Sequence, residues 1–199
     1  MPGRAHLGAA FGAQPRARFL PPGSRRFADV DEPVPIGHGQ TNSQPSTVRD
    51  MLELLDVRPG MRVLDIGAGS GWTTALLAEL TGPTGSVLGV ERVPGLVATG
   101  AANLAEAHVP WARLVAAEPT RLGAPDAAPF DRILVSAMAS RLPADLVAQL
   151  APGGVMVIPV RGRMLRVVRR PAPDDAPEDA EVTEHGAYRF VPLVTRPGG

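Results

Sequence analysis

The run Val63-Leu64-Asp65-Ile66-Gly67-Ala68-Gly69-Ser70-Gly71-Trp72 carries the strongest chemical signal in this chain. β-favouring residues lead into Asp65, then into glycines at 67, 69 and 71, and a helix-like run follows from Thr73 to Ala78. A strand, a glycine turn and a helix N-terminus in that order let a ligand come close to bare backbone. Glu91 lies twenty residues past Gly71 and closes a second apolar run, Val87 to Val90. An acidic side chain there can accept hydrogen bonds from both hydroxyls of a ribose.

Those residues need a scaffold, and the rest of the chain supplies one. Residues 48–160 alternate strand-like and helix-like segments. Strands are expected at about 62–66, 86–90, 113–117, 131–136 and 154–160, and helices at 72–81, 93–106 and 143–150. Thr47 to Leu55 reads as an amphipathic helix, with apolar residues at 48, 51, 52 and 55. Such alternation implies an α/β domain with a mostly parallel sheet and helices on both faces. Residues 1–47, punctuated by prolines, read as irregular. In residues 161–199, Met164–Arg169 and Tyr188–Val194 read as strands with no helix between them, hence as an antiparallel edge. The acidic, Pro-rich run 171–180 between them reads as a solvated loop. The whole is expected to be one domain, 1–199.

Composition narrows the possibilities. Formal net charge is zero, so no long-range field favours nucleic acid or an anionic membrane. There is no cysteine, which excludes disulfides, thiolate metal sites and cysteine nucleophiles. His6, His38, His108 and His185 show no metal-ligand spacing, and no metal is expected. No apolar run approaches the roughly 18 residues of a membrane span, and no apolar leader is visible, so the cytoplasm is the expected compartment. A monomer is expected. Every basic residue is Arg and none is Lys, a bias shared with the abundant Ala, Gly and Pro.

The glycine pattern is G-x-G-x-G with Asp two residues before the first Gly, and Trp72 occupies the position of a dinucleotide fingerprint's third glycine. In this it resembles motif I of class I S-adenosylmethionine-dependent methyltransferases. A second block, Pro33 to Pro45, concentrates glycines, hydroxyls and amides just before the helix leading to the glycine strand. It could fold over the sheet's carboxyl edge, where ligands of open α/β sheets bind. Ser46 or Thr47 would cap the helix, Ser46 being favoured.

That block, P-V-P-I-G-H-G-Q-T-N-S-Q-P, is similar to the P-L-P-I-G-x-G-Q-T-I-S-x-P segment of protein-L-isoaspartate O-methyltransferases. Further matches follow in order: Pro15–Pro21 to P-R-x-x-F-V-P, Val63–Trp72 to V-L-D-I-G-x-G-S-G-Y, and Ala128–Ile133 to A-P-Y-D-x-I. Gln149–Gly154 matches Q-L-x-x-G-G and Phe190–Leu193 matches F-V-P-L, so the resemblance spans about residues 15–194.

The resemblance implies a Rossmann-like, seven-stranded sheet and S-adenosyl-L-methionine as methyl donor, with S-adenosyl-L-homocysteine as product. It implies an isoaspartyl peptide or protein as acceptor, whose methyl ester then collapses to a succinimide. Ser43 aligns with the family's active-site serine, and Gln40, Thr41 and Ser43 would line the cleft. Asp65, Gly67, Gly69, Ser70 and Gly71 would serve the methionine part, and Glu91 the ribose. A carboxylate acceptor is already ionised at neutral pH, so no general base is needed. Ser43 would orient that carboxylate rather than attack as a nucleophile, since no His or Lys stands near it in sequence.

Departures from the family pattern gather at the adenine edge and the acceptor side. Asn42 replaces the isoleucine, Ser46 a His or aromatic residue, and Arg161 the glycine of P-V-G. The G-D-G after the third strand is absent; Glu118 stands nearest and would take the adenine role if the loop shifts by one residue. The family's N-terminal helix reads as shortened or missing. The alternative is therefore a diverged relative that methylates a carboxylate of a dedicated peptide or small metabolite. Transfer to another nucleophile and a non-catalytic cofactor-binding module are weaker readings; a nucleic-acid base is disfavoured by the neutral charge and the lack of an N/D-P-P-Y motif.

Overall fold

A computed structural model describes residues 4–170 and 180–194. Strands β3 (Arg62–Ile66), β4 (Ser86–Glu91), β5 (Ala112–Ala116), β6 (Phe130–Val135) and β7 (Leu150–Val160) form the parallel part of the main sheet. Strands β8 (Arg163–Arg169) and β9 (Ala180–Ala187) extend it antiparallel, giving the order β5-β4-β3-β6-β7-β8-β9. From β3 the chain steps outward through β4 to β5, then returns to β6 on the other side of β3. The order reverses between β3 and β6, and a crevice opens beyond the carboxyl ends of strands at such a point.

Right-handed crossovers explain where the helices lie. Helices α3 (Trp72–Thr81) and α4 (Pro94–Glu106) connect strands stepping one way and share one face. On that face α2 (Pro45–Leu55) buries Val48, Met51, Leu52 and Leu55, alongside Leu76, Leu77 and Leu80 of α3. The step from β6 to β7 runs the other way, so α5 (Ala144–Val147) covers the opposite face with Leu146 and Val147. Successive strand residues alternate between the faces: Val63 packs on the first, Leu64 and Ile66 on the second.

The N-terminal segment departs from the irregular reading. It contains helix α1 (Arg4–Ala13), two 3-10 turns (Arg16–Phe19 and Pro22–Phe27) and a hairpin of β1 (Val34–Gly37) with β2 (Gln40–Asn42). Helix α1 packs on α3 through Leu7, Ala10 and Phe11, one helical stripe whose signal is diluted by Gly8 and Gly12. The helix expected over 143–150 stops at Val147, because Gln149 turns inward instead. Its side chain accepts from Ala124 N at 2.8 Å and donates to Leu122 O and Asp145 O at 2.9 Å. Ser46 does not cap α2. Gln44 holds the cap position without a side-chain capping bond, and Asp31 Oδ1 accepts from Ser46 N at 2.8 Å instead.

The C-terminal expectation needs the largest correction. The edge strand is Ala180–Ala187, and Phe190 lies outside the sheet. Gly186, at φ 74°, precedes the break. The chain then crosses to the carboxyl ends of the strands, where Met138 N donates to Val191 O and Leu193 N to Met138 O, both at 2.7 Å. Tyr188 anchors the crossing, its hydroxyl donating to Asp50 of α2 at 2.8 Å. Residues 171–179 of the acidic, Pro-rich run lie outside the described residues.

Candidate active site

The loop after β3 owes its shape to its glycines. Gly71 caps α3 at φ 90°, and a Cβ there would stand 3.1 Å from Gly100 O. Gly69, at φ 55°, would bring a Cβ to 3.2 Å from Ile36. Neither position admits another residue without strain. Beneath the loop, Asp65 Oδ2 accepts from the Thr73 and Thr74 hydroxyls, each at 2.7 Å, and so fixes the first turn of α3. Asp65 is fully buried and its Oδ1 has no hydrogen-bond partner among the described residues. Burial raises its carboxyl to about 6; the two hydroxyls oppose that rise and the neighbouring Glu91 charge adds to it.

Glu91 ends β4 and holds the loop from the other side. Its Oε2 accepts from Gly69 N and its Oε1 from Val93 N, both at 2.9 Å. Each oxygen keeps a further lone pair for a ligand hydroxyl. The side chain is 6% exposed and lines a cavity of about 640 Å³ at the carboxyl edge of the sheet.

That cavity brings most of the expected residues together. Gln40, Thr41, Ser43, Gly67, Gly69, Ser70, Glu91 and Glu118 all line it. Asp65 and Gly71 do not: the first lies under the loop and the second at the helix cap. Ser43 is half-buried on the wall, and Ser136, Ala137 and the segment Val191–Val194 form the far side. Glu118 is exposed at the rim, beside the Arg121–Asp126 ion pair. Among the described residues no group of three or more His, Asp or Glu could hold a metal ion. No helix among them is long and apolar enough to cross a membrane.

Sequence reasoning missed Arg16 as part of this assembly. The residue is 5% exposed, and its guanidinium donates to Asn42 Oδ1 at 2.8 Å, Asn42 O at 3.0 Å, Val30 O at 2.9 Å and Glu32 O at 2.8 Å. It also lies 5.6 Å from the centroid of Trp72, which makes a T-shaped contact with Phe11. Desolvation lowers its pKa, opposed by the charge of Asp31. Arg16 thus fastens the N-terminal segment to β2 and to the glycine loop. The only sequence signal was its place in the Pro15–Pro21 block.

A sheet with this strand order, a G-x-G-x-G loop after its central strand and an acid at the end of the next strand defines a class I methyltransferase fold. The comparisons sharpen this. The model of the protein-L-isoaspartate(D-aspartate) O-methyltransferase family matches residues 4–198, and the chain belongs to that family. It is 44% identical to the protein-L-isoaspartate O-methyltransferase of Methanopyrus kandleri over 92% of this chain and 81% of that protein. Identity to the Anaeromyxobacter dehalogenans protein of the same name is 48%, over 94% and 88% of the two chains. A solved Plasmodium falciparum structure, described as a beta-aspartate methyltransferase in complex with S-adenosyl-L-homocysteine, shares the fold with a TM-score of 0.84. It is 24% identical, with 98% of this chain and 92% of that one covered.

Proposed function

We propose that this chain transfers a methyl group from S-adenosyl-L-methionine to the free α-carboxyl of L-isoaspartyl residues in damaged proteins and peptides. The observation that carries this reading is the single cavity, with Glu91 and the glycine loop at one end and Ser43, Ser136 and Val191–Val194 at the other. Family membership and the homologues' names support the acceptor.

Bound S-adenosyl-L-methionine supplies a methyl on a sulfonium centre, an activated leaving group. The protein's own residues then bind, align and dry the reactants. Glu91 receives the ribose hydroxyls through its remaining lone pairs. Gly67, Gly69 and Ser70 receive the methionyl part, and Asp65 and Gly71 hold the loop that carries them. Gln40 and Thr41 wall the cleft from the hairpin, and Glu118 stands at the adenine edge. Ser43 would donate to the acceptor carboxylate and so orient it within the cleft. Val191–Leu193 exclude water from that end, so that geometry and desolvation supply most of the rate.

We further read residues 1–199 as one cytoplasmic, monomeric methyltransferase domain with no nucleic-acid partner. Zero net charge supports the last point, since no long-range field favours nucleic acid. Methyl-labelled donor and an isoaspartyl peptide test the function. Label should enter the peptide and leave as methanol in mild base, as a methyl ester must. Base-stable label would show transfer to another nucleophile and reject the proposal.

A further inference from the structure

The far wall of the cavity, Ser136–Ala137 and Val191–Val194, is one bonded cluster with the β7–β8 turn. Met138 N donates to Val191 O and Leu193 N to Met138 O, while Ala139 N donates to Pro159 O and Arg161 N to Ala139 O. The turn closes the cluster: Gly162 N donates to Met138 Sδ at 3.1 Å and Tyr188 N to Gly162 O at 2.9 Å. Each of the three segments carries an exposed arginine beside the wall. Arg141 lies two residues past Ala139, Arg161 in the turn, and Arg189 two residues before Val191. Residues 136–143, 157–163 and 187–194 contain no Asp or Glu.

The side chains of Arg141, Arg161 and Arg189 have no hydrogen bond or ion pair among the described residues. Acids on adjoining segments are already engaged. Asp50 accepts from the Tyr188 hydroxyl at 2.8 Å, Glu184 pairs with Arg163 at 3.1 Å, and Asp31 accepts from Ser46 N at 2.8 Å. Arg161 also stands where an arginine is costly. The two-residue turn holds it at φ 49° and Gly162 at φ 85°, and a hairpin turn of this kind favours glycine or asparagine at both positions. The family pattern has glycine where Arg161 stands. A charged side chain kept in a strained backbone position beside a site points to a role for that side chain.

We infer that Arg141, Arg161 and Arg189 form a cationic rim that selects isoaspartyl acceptors with Asp or Glu in the flanking sequence. The inference rests on the acceptor reading above and adds to it the charge of the peptide around the methylated residue. A peptide whose isoaspartyl carboxylate reaches Ser43 lays its neighbouring residues over the mouth of the cavity. Three unpaired cations on one bank attract carboxylates there, and each contact is worth a small factor because it forms in water. The chain as a whole has zero formal charge, so the selection is local to this bank.

The test compares isoaspartyl peptides that are identical except that the residues flanking the isoaspartyl are Glu, Gln or Lys. In low salt the wild type should favour the Glu peptide over the Gln peptide about tenfold in kcat/KM, with the difference in KM. In about 0.5 M salt the preference should shrink below about threefold, since exposed charges are then screened. Arg161→Gly suits the left-handed turn and should lower the low-salt ratio about threefold. Combining it with Arg141→Gln and Arg189→Gln should bring the ratio to about one. Each reading is a ratio within one protein, so a partly active variant still reports it. Equal wild-type kcat/KM for the Glu and Lys peptides would overturn the inference, as would a preference that persists in the triple variant. Methylation of none of the three peptides by a protein that binds S-adenosyl-L-homocysteine would overturn the acceptor reading, and this inference with it.

Discussion

At one end of the cavity, Gly67, Gly69, Ser70 and Glu91 come from the loop after β3 and the end of the next strand, β4. At the other end, Ser43, Ser136 and Val191–Val194 come from segments far apart in the chain and meet only through tertiary packing. The first end is prearranged by local chemistry: positive-φ glycines, the Asp65–threonine bonds and the Glu91–backbone bonds. The second depends on a hairpin fastened by Arg16 and on a terminal segment fastened by Met138 and Tyr188. A binding end built locally tolerates drift elsewhere in the chain. An end assembled from distant segments is where acceptor preference can change without loss of the donor.

Perturbing each end alone should separate these roles. The largest effect is expected at Ser43. Ser43 aligns the acceptor carboxylate, and misplacing a reacting atom by about 1 Å can lower kcat about 100-fold. Ser43→Ala should do so with S-adenosyl-L-homocysteine affinity unchanged, as steady-state kinetics and calorimetry would show; loss of both together would place Ser43 at the donor end.

Asp65 should appear in the pH dependence of stability. Its folded carboxyl titrates near 6 against an ordinary value of 3.8, so the folded state binds more protons than the unfolded state between those values. Its contribution is fully present below about pH 3.8 and is lost as pH rises through about 6, on the order of 2–3 kcal/mol in all. Asp65→Asn removes this titration, so the variant should gain on the wild type in urea unfolding as pH is raised from 4 to 7. Parallel stability curves would show that Asp65 does not titrate there.

Glu91→Ala should weaken S-adenosyl-L-homocysteine binding by about 1.5–3 kcal/mol, the range for hydrogen bonds to a charged group. If calorimetry finds the loss confined to the acceptor peptide, the two ends are assigned the wrong way round. The smallest effect is expected at the terminal anchor. Tyr188→Phe loses the bond to Asp50 and should lower stability by about 1 kcal/mol in denaturant titration. Turnover should fall more than donor affinity, because residues 191–194 follow directly; a fall in donor affinity alone would contradict the division.

The difference between the ends also explains what could be read without coordinates. The α/β order, the strands near the glycine loop and the loop's residues were legible because their signals are local: apolar runs, glycines at fixed offsets and an acid at a fixed distance. The terminal strand was misplaced for a physical reason. Residues 180–187 form an edge strand exposed on both sides, so Glu181, Glu184 and His185 hide its pattern. Residues 190–194 are apolar because Val191–Val194 wall the cavity, not because they sit in the sheet. Arg16 was illegible as a site residue because its role exists only through partners at residues 27–42. The Asp31–Ser46 bond displaced an expected side-chain cap in the same way, since a distant carboxylate took the backbone donor.

The measurement that bears most directly on the central claim is the ratio of kcat/KM for an isoaspartyl peptide and its normal aspartyl twin. The two acceptors differ by one methylene in the path from carboxylate to main chain, so a cavity that reads geometry at the Ser43 end must separate them. The account predicts methylation of the isoaspartyl peptide and a rate for the twin at the background of the assay. Equal turnover of the two peptides, or turnover of neither by a protein that binds S-adenosyl-L-homocysteine, would contradict it.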